Sequence, residues 1–378
     1  MDNDSLKPVK INYAPSEKHL TGSRRFQGIP GIEVTSSGRL WATWYSGGVN
    51  EGPDNFSLLV TSSDKGQTWS EPVAVIDPPG NVRSYDPTLW IDPLGRLWWF
   101  WAQTYSPEDT NINDGRAGVW AAFAENPDSG KPLFSEPFRI ANGVMMNKPT
   151  VLSSGEWLFP TAVWESSETK LEEFKKERFS NVVISSDNGK TFKLHGSADI
   201  PNRAFDEHMV VELKDGRIRM LVRTYYGIGQ SFSNDKGKTW IPGDDSNLGG
   251  PNSRFFIRRL SSGNLLLVNH SDISPEEAFK LFNEGKRWRK RSHLSASIST
   301  DDGKTWSGSL MLDEREGVSY PDGVQESNGL ISIIYDYQRY KEGAIFMASF
   351  REEDVFAGKC LSSDVSLKVL INKTGGVR

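Results

Sequence analysis

Ser62-Ser63-Asp64-Lys65-Gly66-Gln67-Thr68-Trp69 decides the fold, because the chain writes the same phrase three more times. The copies are Ser185-Ser186-Asp187-Asn188-Gly189-Lys190-Thr191-Phe192, Ser233-Asn234-Asp235-Lys236-Gly237-Lys238-Thr239-Trp240 and Ser299-Thr300-Asp301-Asp302-Gly303-Lys304-Thr305-Trp306. Each is a tight turn between two strands. The aspartate bonds nearby amides, the glycine supplies the positive φ, and the aromatic ring packs back between strands.

A second repeat runs beside the first: an alternating strand, a glycine turn and an apolar strand. It spans Ile29 to Tyr45, Asp86 to Trp101, Lys148 to Val163, Glu207 to Arg223, Ser253 to His270 and Pro321 to Tyr337. Each copy reads as the inner hairpin of a small antiparallel sheet. Six copies at this period predict an all-β protein, a six-bladed β-propeller of four-stranded antiparallel sheets forming one domain over residues 1–378. Blades two and six lack a good copy of the turn, and blade two has a blurred version around Asn126 to Gly130. A strand at Ala344 to Phe350 is expected in the last blade, with N- and C-terminal strands sharing its closure. Glu168 to Phe179 and Pro275 to Trp288 carry Leu171, Phe174, Phe279 and Phe282 at helical spacing. They predict short helical insertions, of the kind that shape the rim of a propeller.

Composition narrows the function. With 44 basic and 49 acidic residues the net charge is −5, which argues against a general nucleic-acid binder. The single cysteine, Cys360, excludes an internal disulfide and a cysteine-rich metal site, and the histidines at 19, 195, 270 and 293 show no metal spacing. No metal and no cofactor are implied. No apolar run approaches the ~20 residues that span a bilayer. Met1 to Leu20 lacks the apolar stretch of a signal peptide, which leaves a cytoplasmic protein, or a secreted or periplasmic one whose signal has been removed. Most of the 13 tryptophans, among them Trp41, Trp44, Trp98, Trp99 and Trp101, fall in expected strands and read as core, with one or two free to stack on sugars.

The four turns and six hairpins resemble the sialidase (neuraminidase) superfamily over essentially the whole chain. The resemblance makes the turns Asp boxes, structural elements on the face away from the active site. It implies a retaining exo-glycoside hydrolase that removes a terminal acidic sugar from an oligosaccharide or glycoconjugate. In that family a tyrosine is the nucleophile, a glutamate its base, an aspartate the acid/base, and three arginines hold the sugar carboxylate. Tyrosine replaces the carboxylate nucleophile of most glycosidases and avoids like-charge repulsion with an anionic sugar.

By this resemblance Tyr320, opening the sixth hairpin, is the nucleophile and Glu207, opening the fourth, its partner. Arg223 and Arg291 match the second and third arginines. The first arginine should precede Ile-Pro, but Gln27-Gly28-Ile29-Pro30 places Gly28 there, so Arg25 is the nearest substitute and Asp336 its acidic support. The acid/base falls in the loop 47–55, where Asp54 is preferred over Glu51. Asp86, Lys148, Arg254 and His208 lie at inner strand starts that converge on the central cleft and read either as substrate contacts or as ion pairs closing the channel. Two other readings stay open. A His208/Tyr320 pair suits a polysaccharide lyase acting on a uronic acid, and the missing arginine at Gly28 suits a non-catalytic glycan-binding propeller. The basic run Lys286 to Arg291 reads as a rim attractive to an anionic glycan.

Overall fold

The hairpins of the sequence become the inner strands of six sheets. The structure, a computed structural model, describes residues 3–106, 113–165, 167 and 169–376. Blade one holds β1 (Phe26–Val34), β2 (Leu40–Gly47), β3 (Phe56–Ser62) and β4 (Ala74–Ile76). Blade two holds β5 (Val82–Ile91), β6 (Leu97–Tyr105), β7 (Val119–Ala124) and β8 (Phe138–Ala141). Blade three holds β9 (Thr150–Val151), β10 (Trp157–Ala162), β11 (Ser180–Ser185) and β12 (Lys193–Ala198). Blade four holds β13 (Arg203–Glu212), β14 (Ile218–Thr224), β15 (Gly227–Ser233) and β16 (Asp244–Asp245). Blade five holds β17 (Phe256–Arg259), β18 (Leu265–His270), β19 (Leu294–Ser299) and β20 (Ser307–Asp313), and blade six holds β21 (Val318–Gln325), β22 (Ile331–Tyr337), β23 (Ala344–Phe350) and β24 (Ser366–Lys373). Every sheet is four-stranded, with its strands hydrogen-bonded in chain order.

The inner hairpins turn on Gly38, Gly95, Gly155, Gly216, Gly263 and Gly329, all with φ between 82° and 98°. At the first five an added Cβ would meet nothing within 4 Å, so the backbone conformation, and not lack of space, demands glycine. In the first Asp box Asp64 accepts from the Thr68 amide (2.9 Å) and the Thr68 hydroxyl (2.5 Å), while Ser62 Oγ accepts from the Gly66 amide (2.9 Å). The other three boxes repeat this pattern. These hydrogen bonds hold the carboxyls of Asp64, Asp187, Asp235 and Asp301 down at about 2.

Apolar faces meet between blades. Trp98 and Trp90, on β6 and β5, pack edge-to-face on Trp157 of β10 with centroids 6.2 and 4.9 Å apart, tying blade two to blade three. Trp41, Trp44, Trp98, Trp99 and Trp101 are all buried, as expected of core.

Two local expectations change, and a third holds. The last sheet takes no N-terminal strand, since β21 to β24 are consecutive. Side chains and loop backbone close the ring instead. Asn372 accepts from Arg24 (2.8 Å) and Gln27 (3.0 Å), and the Gly375 amide donates to the Thr21 carbonyl (2.9 Å). The Glu168 to Phe179 insertion, apart from Glu168, which lies outside the described residues, contains only a 3₁₀ turn at Glu172–Phe174. The second insertion is a true helix, α1 (Pro275–Asn283), with Ser274 capping its first turn and Pro275 at its start. No helix among the described residues is long and apolar enough to cross a membrane.

Candidate active site

Because each strand reverses the last, the β1–β2 and β3–β4 turns of a blade share one end, and inner strand starts and β2–β3 loops share the other. The Asp boxes therefore lie opposite a cleft built from strand starts. This cleft has a volume of about 240 Å³, and Glu51, Asp86, Glu207, Arg223, Tyr320 and Arg339 are among its walls.

The inner strands aim their side chains into it by breaking register. Pairing slips between Gly28 and Gly31, between Tyr85 and Thr88, and between Ser319 and Asp322. In each slip a residue before proline takes a positive φ: Ile29 at 56°, Asp86 at 47° and Tyr320 at 55°. Residues before proline ordinarily avoid such conformations, so these are strained bulges that re-aim one side chain at each strand start. Blade four does the same without proline, at Phe205 (60°) and Asp206 (46°).

Tyr320 and Glu207 meet at the floor. The Tyr320 hydroxyl donates to Glu207 Oε1 at 3.0 Å, and Arg223 Nη1 donates to both, at 2.9 Å to Tyr320 Oη and 2.6 Å to Glu207 Oε1. Arg223 is itself oriented by Asn252 Oδ1 (2.6 Å). Burial opposes its charge, but Glu207 and Tyr320 outweigh burial and raise its pKa. Glu207 Oε2 is buried with no hydrogen-bond partner. Arg291 lies over the Tyr320 ring at 5.1 Å and is anchored on the Asn252 carbonyl (3.0 Å). Its pKa is lowered by burial and by the nearby charges of Arg223 and Arg339.

The third guanidinium is one that sequence reasoning missed. Arg339, after β22, lies over the same ring, 4.6 Å from the Tyr320 centroid. A Cβ built on Gly28 would sit 2.8 Å from Arg339 Cδ and 3.1 Å from its Cβ. Gly28 is thus the space that Arg339 fills. Tyr320, Asp336 and Glu51 overcome the cost of burying the Arg339 charge and raise its pKa well above the ordinary value. The signal was present in the sequence, since Asp336 called for a basic partner, but that partner stands three residues onward and not near Gly28.

The carboxylates divide. Asp86 is buried, and burial with the neighbouring charges of Glu51 and Glu207 lifts its pKa to about 8. Burial also works on Glu51, but Arg339 and Arg83 outweigh it, together with a 2.8 Å hydrogen bond from Tyr340, so its pKa is lowered. Asp54, the preferred acid/base of the sequence, is exposed and lines a separate outer hollow with Arg25. The loop turns Glu51 inward in its place.

Other expected contacts serve the frame. Lys148 donates to the Ile32 carbonyl (2.5 Å), the Leu89 carbonyl (2.8 Å) and Glu33 (2.8 Å), and pairs with Asp322 at 3.2 Å. Arg254 bonds Asn147 (2.7 Å) and lies 3.5 Å from Asp322. Both close the channel beneath the cleft. Asp336 accepts from the Ile29 amide (2.9 Å) and the Ser319 hydroxyl (2.6 Å), so it joins blade one to blade six and does not line the cleft. His208 points away, its ring nitrogens 2.7 Å from the carbonyls of Asp206 and Asn181, and burial lowers its pKa. The lyase reading loses that base. Among the described residues no group of three or more His, Cys, Asp or Glu could hold a metal ion.

Replacing Lys148 by alanine should lower stability by about 3–5 kcal/mol, because buried Glu33 would lose its ion-pair partner and buried Asp322 would keep only Arg254. Turnover per folded molecule should stay within about threefold, since Lys148 does not reach the cleft. Denaturant melts beside active-site-normalised rates check this; intact stability with lost turnover would return Lys148 to the chemistry.

Residues 38–333 match the BNR repeat-like domain family. A sialidase of Bacteroides fragilis (strain YCH46) is 24% identical over 340 residues, covering 82% of this chain and 59% of its own length. The chain therefore spans less than two thirds of that relative. Among solved structures, a Hadza microbial sialidase superposes with a TM-score of 0.67 at 20% identity, over 87% of this chain and 66% of its own. The intramolecular trans-sialidase from Ruminococcus gnavus, in complex with oseltamivir carboxylate, gives 0.64 at 14% identity, over 92% and 98%. At these identities the structural likeness speaks for the fold. Four Asp boxes, six four-stranded blades and a family match across the greater part of its length make this chain a member of the BNR repeat-like domain family, on the propeller of the sialidase superfamily.

Proposed function

We propose that the protein is a sialidase-like exo-glycoside hydrolase that removes a terminal acidic sugar with retention of configuration. The observation that carries this reading is the Tyr320–Glu207 hydrogen bond of 3.0 Å, flanked by Arg223, Arg291 and Arg339. Three guanidiniums gathered around Tyr320 in the cleft of an acidic protein call for a carboxylate ligand. Glu207 accepts the phenolic proton as Tyr320 Oη attacks the anomeric carbon and the glycosidic C–O bond breaks. Asp86, protonated below about pH 8, delivers a proton to the leaving oxygen. Water then attacks the tyrosyl-linked sugar, its proton passing back to the acid/base, and the phenol regains its proton from Glu207. Asp86 replaces Asp54 in this scheme because it reaches the cleft and holds a proton at neutral pH. The test is hydrolysis of a fluorogenic sialic acid glycoside, with the first-formed anomer followed by NMR. Release of the inverted anomer, or no release from any terminal acidic sugar, defeats the reading.

The acid role has its own signature. Asp86→Asn should cost ~10²–10⁴-fold on a natural alkyl-linked glycan and far less on an aryl glycoside, whose leaving group needs no proton. The wild-type rate should fall as pH rises through about 8, as Asp86 loses its proton. If Glu51→Gln shows this leaving-group dependence and Asp86→Asn does not, the acid is Glu51.

A further inference from the structure

We propose that a basic hollow beside the cleft is a second anion subsite, which makes the preferred substrate a glycan carrying a further carboxylate or sulfate next to the sugar that is removed. The proposal rests on the glycosidase reading above. The hollow, about 300 Å³, is built at the boundary of blades five and six from residues 289–291, 316, 317, 319 and 338–341, and it shares Arg291, Arg339 and Tyr340 with the cleft. It is contiguous with the reaction site and of similar size.

Its charge is one-sided. Arg289, Lys290, Arg291, Arg339 and Lys341 line it, against a single acid, Glu316. Lys290 already neutralises Glu316 at 2.8 Å. The Lys341 ammonium enters no ion pair among the described residues. Arg289 is held by one hydrogen bond, its Nη2 donating to the Ala278 carbonyl at the helix α1 (2.8 Å), with Glu277 as a nearby charge, while its Nε and Nη1 are buried without a hydrogen-bond partner. Buried guanidinium donors left unmatched are costly, and an oxyanion bridging them and Lys341 satisfies both. A net charge of −5 for the whole chain makes this concentration of cations a local feature and not a property of the surface at large. It also accounts for the second half of the basic run 286–291: Arg291 lines cleft and hollow alike, and Arg289 and Lys290 line the hollow.

The experiment compares kcat/KM on sialyl-lactose, on the same trisaccharide sulfated at galactose O6, and on disialyl-lactose, with the fluorogenic glycoside as reference. The wild type should prefer one or both dianionic substrates by roughly tenfold at low salt, with the preference shrinking at high salt. The sulfated and disialylated arms distinguish sulfate from carboxylate. The double variant Arg289→Gln/Lys341→Gln should lose the preference and keep its rate on the fluorogenic glycoside. Equal kcat/KM on all three glycans, or a preference that survives the double variant, overturns the subsite. If the wild type hydrolyses none of the four, the glycosidase reading has failed, and calorimetry with galactose 6-sulfate then decides the hollow separately. Saturable binding lost in the double variant supports it, and no binding at millimolar ligand overturns it.

Discussion

Under the proposed mechanism Tyr320→Phe should lower kcat/KM on a terminal acidic glycoside by roughly 10³-fold or more, because it removes the oxygen assigned the covalent bond and leaves the ring in place. Tyr320 is buried beneath Arg291 and Arg339, so the ring contacts and the fold should survive, and melting should be nearly unchanged. Glu207→Gln should cost ~10²–10⁴-fold by removing the base. The two act as a unit on one proton, so the double variant should be little worse than Tyr320→Phe alone. Full activity in Tyr320→Phe would exclude it as nucleophile whatever the rest of the cleft does.

The second large effect concerns the guanidinium that replaces the arginine missing at Gly28. Arg339→Gln should weaken transition-state binding of the carboxylate by about 2–4 kcal/mol, roughly 30- to 1000-fold in kcat/KM. Gly28→Ala tests the same contact from the other side. Its new Cβ would lie 2.8 Å from Arg339 Cδ and 3.0 Å from Asp336 Oδ2, so the arginine must move although its charge remains. A raised KM without loss of stability is the expected result. The reciprocal pair Gly28→Arg/Arg339→Ala, which moves the guanidinium back to blade one, should recover part of the activity lost in Arg339→Ala. An Arg339→Gln enzyme with unchanged KM would remove this residue from carboxylate recognition.

Local chemistry made the fold legible. An Asp box closes within eight consecutive residues, and a glycine at positive φ marks each inner hairpin, so neither depends on a distant partner. Tyr320 and Glu207 are named through the family resemblance of the hairpins they open, and their hydrogen bond joins two blades 113 residues apart. Long-range placement was not legible. Asp54 and Glu51 share one loop, and which of them turns inward depends on Tyr340 and Arg339 from the adjoining blade six. Lys148 and Asp86 occupy similar positions at strand starts, yet one descends to Glu33 and Asp322 while the other is turned into the cleft by a strained bulge before proline.

The sequence by itself determined six blades, their inner hairpins and the structural Asp boxes, because each is written in short-range patterns of turn and strand. Only the tertiary structure decided that Arg339 fills the space at Gly28, that Asp86 is buried beside Glu51 and Glu207, which raise its pKa, and that Lys148, Arg254 and Asp336 belong to the frame. Those outcomes depend on burial and on charges brought together from different blades, and closing the ring is what sets both.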